Sequence, residues 1–212
     1  MAEPRKPTKE RILELLKKEA SVTVASLTNH LNITHMAIRK HLNALETDGL
    51  VASREARQPM GRPLQIYSLT TKGEALFPKN YEGITLEFLQ DIQDLYGEGA
   101  VNELFQKREK RLTEEYSRKM AEKPNQDKIE EIVSLQNEKG YMAAATKIDN
   151  YTYELVEYNC PILAIANHYK TACKCETQML KNVLKTEDIS RVSCKADEDD
   201  HCRFRIAFNA NK

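Results

Sequence analysis

The sequence predicts a mainly α chain with an α+β end: an N-terminal winged helix-turn-helix, a helical connector, and a C-terminal α+β domain bearing the cysteines. Three observations predict it. Three short amphipathic stretches and two strand-like runs fill the first third of the chain, in the order of a winged helix. Long charged stretches with thin apolar stripes follow, broken by Gly97, Gly99 and Pro124. After Gly140 short strand-like runs take over, and Cys160, Cys173, Cys175, Cys194 and Cys202 all lie there, with no cysteine in the first 159 residues. The expected divisions are 1–78, 79–139 and 140–212.

In order, a first helix is expected from about Thr8 to Ala20, with Ile12, Leu13, Leu15 and Leu16 on its apolar face and Thr8 as its cap. Ser21-Val22-Thr23 breaks the pattern. A second helix spans Val24 to Leu31, Asn32-Ile33-Thr34 turns the chain, and a third helix runs from Thr34 to about Thr47. In this third helix Ile38, Leu42 and Leu45 recur at i, i+4 and i+7 and form the buried face. Thr34 caps its N-terminus, whose free N–H groups suit a DNA phosphate. His35, Met36, Arg39, Lys40 and Asn43 remain outside, mostly donors of the kind that reach base edges or phosphates in a major groove.

Asp48-Gly49 ends that helix. Leu50–Arg54 and Gln65–Leu69 read as the two strands of a wing, joined by a polar loop over 55–63. Arg54, Arg57 and Arg62 are placed to touch the DNA backbone or minor groove beside the recognition helix. Residues 1–75 hold 12 Lys or Arg against 8 Asp or Glu, a local +4 on a chain of net charge zero, as a nucleic-acid module attached to another part would show.

The connector begins with a helix over Tyr81 to Tyr96. A charged helix from Ala100 to about Lys123 follows, with Val101, Leu104, Phe105, Leu112, Tyr116 and Met120 as its stripe, then another from Gln126 to Lys139. Such a thin stripe packs either on its own domain or against a second copy, and paired half-sites on DNA favour the homodimer. Beyond it, Tyr141–Ile148 and Tyr151–Tyr158 flank Asp149-Asn150 as a two-residue hairpin turn. Pro161 opens a helix, Glu176–Leu184 is another, and Ile189–Cys194 and Arg203–Phe208 are strands across an acidic loop.

No apolar run approaches a membrane span, and the opening residues lack the apolar segment of a secretory signal. A cytoplasmic chain is expected. There, five thiols point to metal binding or redox chemistry rather than a disulfide framework. Thiolates are soft ligands that select iron-sulphur clusters, zinc or copper(I), and the wide spacing here suits a pocket built from separate elements rather than a zinc ribbon. Asp199, Asp200 and His201 are near enough in sequence to supply a further ligand; buried reduced cysteines are the structural alternative. No nucleophile and base pair, phosphate-binding glycine loop or paired catalytic carboxylates stand out, and Cys173-Lys174-Cys175 is a poor match for a redox Cys-x-x-Cys, so no enzyme is expected.

Gly61-Arg62-Pro63, Tyr67, Leu69-Thr70, Gly73 and Phe77-Pro78 resemble the wing and exit of the SufR-like branch of DeoR-type winged-helix regulators. Glu138-Lys139-Gly140-Tyr141, Asn159-Cys160-Pro161, Cys173 with Glu176, and His201-Cys202-Arg203-Phe204 resemble their sensor domain. The resemblance covers nearly the whole chain. It implies a repressor that binds double-stranded operator DNA as a homodimer and holds an iron-sulphur cluster on cysteines matched here by Cys160, Cys173 and Cys202. For the fourth position Cys194 is favoured because it would end the strand paired with the one Cys202 begins. Cys175 is the rival, although its side chain at two residues from Cys173 should point away on a helix. The family loop before the last cysteine usually contains a glycine, where this chain has an acidic run. Zinc in the same thiols, or thiol oxidation, is the alternative chemistry.

Overall fold

Apolar periodicity over the first 79 residues builds a three-helix core closed by a wing. The computed structural model describes residues 6–59 and 62–209 and divides into two units at Lys79/Asn80. In the first unit α1 (Thr8–Glu19), α2 (Val24–Leu31) and α3 (His35–Thr47) pack around Ile12, Leu16, Leu27, Ile38, Leu42 and Leu45, all essentially inaccessible to water. Pro7 occupies the cap position of α1, and Thr8 is its first residue. Thr23 and Thr34 cap the next two helices by accepting from Ser26 N at 3.1 Å and Ala37 N at 3.3 Å. Asn32, left-handed at φ +53°, makes the turn between them.

The wing is longer than expected. β1 (Val51–Ala56) pairs antiparallel with β2 (Leu64–Leu69), so Glu55 and Ala56 lie in the strand opposite Gln65 and Leu64 rather than in the loop. Val22, expected in a mere break, bonds both ways with Tyr67 at 2.9 Å and adds a bridge to the outer side of β2. A short helix, α4 (Thr71–Glu74), leaves the wing. Its Gly73 is required sterically: a Cβ there would stand 2.1 Å from the Leu50 carbonyl oxygen. Met60 and Gly61, part of the wing motif, lie outside the described residues.

The second unit is a four-stranded antiparallel sheet with helices on one face. β3 (Ala143–Lys147), β4 (Thr152–Glu157), β5 (Ile189–Ser193) and β6 (Cys202–Ala207) stand in the order β3-β4-β6-β5. Alternation sends Tyr153, Leu155 and Glu157, with Ile206, Phe204 and Cys202 opposite them, to the covered face. The helices are α5 (Tyr81–Tyr96), α6 (Glu98–Met120), α7 (Asn125–Glu138), α8 (Leu163–His168) and α9 (Thr171–Leu184). None of those described is long and apolar enough to cross a membrane.

Here the expected division into connector and terminal domain gives way to a shared core. Tyr116, Met120, Ile129, Ile132 and Leu135 of α6 and α7 pack in one cluster with Leu155, Met179, Phe204 and Ile206. A half-covered sheet needs helices on its apolar face, and the apolar stripe of α6 serves that need: Val101, Phe105, Tyr116 and Met120 are buried within their own unit. Three further boundaries differ. The register Lys147↔Tyr153, with Ile148 N bonded to Thr152 O, leaves three residues in the β3–β4 loop rather than two, held by Asp149 Oδ1 accepting from Tyr151 N and Thr152 N. α8 starts at Leu163, two residues after Pro161. α9 starts at Thr171, five residues before the expected Glu176, which puts Cys173 and Cys175 on the helix itself.

A candidate nucleic-acid interface and a buried thiol pocket

On α3 the apolar face is wholly turned inward, which leaves His35, Met36, Arg39, Lys40 and Asn43 exposed on the opposite side, Met36 at 76%. Thr34 supplies the cap. His35, Arg39 and Asn43 line one wall of a groove of about 520 Å³ whose other wall is the wing, through Ser53, Gln65 and Tyr67. Gln65 Nε2 donates to Ser53 Oγ at 3.1 Å and ties the two wing strands at that wall. Arg54 on β1 and Arg57 and Arg62 beyond the strand ends are exposed. The ion pairs among the described residues of this unit use none of Arg39, Lys40, Arg54, Arg57 or Arg62. Their charges are available to phosphates, and one helix carries both amide and guanidinium donors for base edges.

In the second unit, three of the cysteines meet. Cys173 lies in the first turn of α9, Cys194 just after β5, and Cys202 at the start of β6. Cys173 Sγ and Cys194 Sγ are 3.8 Å apart. Between the thiols lies the Arg191 guanidinium: Nη1 donates to Cys202 Sγ at 3.2 Å and stands 3.9 Å from Cys194 Sγ, while Nη2 donates to Glu176 Oε2 at 2.8 Å and to the Cys173 carbonyl at 3.0 Å. Its plane sits over Phe204, 4.3 Å from the ring centroid. A β-bulge between Arg191 and Ser193 interrupts the β5–β6 ladder beside Arg191. The backbone N–H of Lys195 donates to Cys202 Sγ at 3.4 Å, and Asp199 Oδ2 accepts from Cys194 N at 2.8 Å.

Cys160, half-buried before α8, makes no hydrogen bond to the other three but lies within reach of the charges of Glu176, Glu157 and Cys194. Cys175 faces the opposite flank of α9, buried with Val101, Phe105 and Ala172. His201 faces away from the thiols, accepting from Arg203 Nε at 2.9 Å and resting against Tyr158. His168 is exposed and bonded to the Ala164 carbonyl. Among the described residues no group of three or more His, Cys, Asp or Glu side chains is placed so that it could hold a metal ion.

Cys160, Cys173 and Cys202 hold their protons more tightly than a free cysteine does. Burial pushes the Cys173 thiol up to about 12 against the pull of Arg191. Burial likewise pushes Cys202 up to about 12, opposed by the Lys195 N–H and by Arg191. Burial raises Cys160 against a hydrogen bond from the Ile162 N–H. Burial works against the Arg191 charge, but the Glu176 carboxylate outweighs it and holds the guanidinium more firmly charged than usual.

A polar chain leads away from the thiols. Tyr116 Oη donates to Gln136 Oε1 at 2.9 Å, and Gln136 Nε2 donates to Glu157 Oε1 at 2.6 Å, all buried. Glu157 lies opposite Cys202 in the sheet, hence on the same face, and its Oε2 finds no hydrogen-bond partner among the described residues. Burial, with the Glu176 charge adding to it, raises the Glu157 carboxyl well above its ordinary range.

Arg191, Glu157, Gln136 and Tyr116 were not anticipated as site residues. Period two could have found the first pair, since Ile189 and Arg191 share a face, as do Leu155 and Glu157.

Residues 9–54 match the DeoR-like helix-turn-helix domain family, less than a quarter of the chain. No curated protein matches it. Among solved structures, Bacillus subtilis PadR in complex with operator DNA is similar at 19% identity and a TM-score of 0.30, over 63% of this chain and 92% of that one, a likeness too slight to bear on the fold. The matched segment contains the capped helix α3 and the first four residues of β1, with Arg39, Asn43 and Arg54: the N-terminal unit carries a DeoR-like helix-turn-helix domain, and the chain is a DNA-binding transcriptional regulator.

Proposed function

We propose that this regulator acts as a cytoplasmic homodimer whose affinity for operator DNA is set by an iron-sulphur cluster on Cys160, Cys173, Cys194 and Cys202. The observation that carries the reading is the meeting of Cys173, Cys194 and Cys202, from three separate elements, around the Arg191 guanidinium. The chemistry of the donors suits such a group, and Cys160 would have to close on the other three to complete it: thiols are its ligands, and N–H donors to sulphur from Arg191 and Lys195 are contacts of the kind that tune it. When bound, the cluster supplies a centre sensitive to oxygen and redox state. The chain's own part is separate. Arg191, anchored by Glu176, would balance the negative charge that the sulphurs carry once they are ligands, burial excludes water, and the chain Glu157, Gln136, Tyr116 connects the pocket to α7 and α6. A change at the thiols would thereby bias the helices between two arrangements and alter the spacing of paired recognition helices.

Thiol oxidation is the second reading, favoured by the 3.8 Å separation of Cys173 Sγ and Cys194 Sγ. With peroxide as oxidant, the two thiols would form one S–S bond and reduce the peroxide to two waters. Zinc on the same thiols is a further alternative.

The test is anaerobic purification of the native chain, Cys160→Ser and Cys202→Ser. Iron, sulphide and zinc per chain, visible absorption and operator binding are then measured before and after air. Iron with sulphide, lost in both variants and coupled to DNA affinity, is expected. Colourless protein with stoichiometric zinc selects zinc. Metal-free protein whose DNA affinity changes only with peroxide, and not in Cys194→Ser, selects oxidation.

A further inference from the structure

The homodimer of the proposed function needs a surface, and the α6 stripe expected to provide one is largely buried inside its own unit. What stays uncovered is α5. It has no buried residue. Leu89 and Ile92 rest on the cluster around Val101 and Phe105, while Tyr81, Ile84, Phe88 and Leu95, at i, i+3, i+7 and i+14, form a second stripe exposed at 73%, 43%, 58% and 73%. With Tyr96 and Leu104 this leaves on the order of 700 Å² of large side chains in water. That exceeds the roughly 300–600 Å² patch usual on a monomer and approaches the roughly 800 Å² each partner gives to a stable interface.

Charge identifies the occupant. Along α5 run Glu82, Glu87, Asp91 and Asp94, all exposed, with no Lys or Arg among its residues. Beside it lies a groove of about 320 Å³ with Leu104, Phe105 and Ile162 in its lining and Lys107, Arg108 and Arg111 of α6 along it. The ion pairs among the described residues use neither these three cations nor the four α5 carboxylates. An acidic, aromatic helix and a basic, apolar groove on one chain are complementary surfaces that one copy offers to another.

The geometry points to a twofold dimer in which the Tyr81, Ile84, Phe88, Leu95 stripe of each copy seats in the groove of the other, with Glu87 and Asp91 facing the partner's basic rim. The contact is isologous and closes on itself, so it ends at two copies. It rests on the homodimer part of the proposed function and assigns that dimer its surface.

The experiment measures the mass of the full chain in solution by sedimentation. One variant carries Glu87→Lys and Asp91→Lys, and the other Lys107→Glu and Arg111→Glu. Each alone faces like charge across the interface and should dimerise about a hundredfold more weakly. Mixed in equal amounts they should form a heterodimer of nearly native affinity, a rescue that no effect within one chain can produce. Leu95→Asp, at a position that carries no core packing, should also dissociate the dimer, and it decides the matter if a reversal variant melts early. A native dimer indifferent to the reversals, or one that mixing does not restore, overturns this surface and leaves the homodimer standing. A native monomer overturns the homodimer itself.

Discussion

Arg191 Nη1 donates to Cys202 Sγ at 3.2 Å while Nη2 of the same guanidinium is held by Glu176 at 2.8 Å, so a buried ion pair is built into the thiol pocket. Both side chains are close to fully covered, at 12% and 8% exposure. Arg191→Met should lower the unfolding free energy by about 3–5 kcal/mol, because Glu176 is left buried without its partner. Adding Glu176→Gln should recover most of the loss. Urea denaturation of the single and double variants measures this, and equal losses in both would show that the pairing does not account for the cost.

Glu157 predicts a pH dependence of known sign. Its carboxyl is raised in the folded chain, by burial first, whereas in the unfolded chain it titrates near about 4.3. The folded state therefore keeps a proton that the unfolded state releases. The stability this contributes is fully present below about pH 4 and is lost as pH climbs toward the folded value, at no more than about 1.4 kcal/mol per pH unit. Glu157→Gln removes the titration. The stability of the native chain relative to this variant should fall steadily from about pH 4 upward; a difference that stays level with pH contradicts the assignment.

At the DNA face the two groups of residues should separate by salt and sequence. Replacing Arg54, Arg57 or Arg62 with Ala should weaken binding to all sequences alike and lower the salt slope by about 1 for each phosphate that is no longer neutralised. Arg39→Ala or Asn43→Ala should cost about 1–3 kcal/mol on the operator and relax its sequence preference. Titrations at several salt concentrations, on operator and on unrelated DNA, distinguish the two patterns.

Gly73→Ala should destabilise the N-terminal unit by about 1–3 kcal/mol or more, since the new methyl meets the Leu50 carbonyl oxygen at 2.1 Å and backbone must move. The expected readout is a lower melting temperature with weaker DNA binding, while thiol titration of the second unit stays unchanged. An unaltered melt would mean the wing exit yields freely.

Helix α3 was legible because Ile38, Leu42 and Leu45 fix its inner face and so, by exclusion, its outer one. The start of α9 was not. Thr171 to Cys175 show no clear apolar period, since Ala172 and Cys175 pack toward α6 while Cys173 meets the other thiols. What covers α6 was not legible for a related reason: an apolar stripe shows that a helix is covered, not by what. The cysteines drew attention to the pocket, whereas Arg191 reads in sequence like any strand arginine. Only the pairing of β5 with β6, a contact between residues far apart in the chain, puts it over Phe204 and between the sulphurs.

Cys173 and Cys175 leave α9 on opposite flanks, one toward the thiol pocket and the other into the cluster with Val101 and Phe105. A helix gripped on both sides cannot roll: turning it would lift Cys175 and Ala172 out of apolar contact while it broke the bonds at Arg191. The thiol pocket and the apolar contact with α6 are therefore carried by one rigid element, with no joint between them.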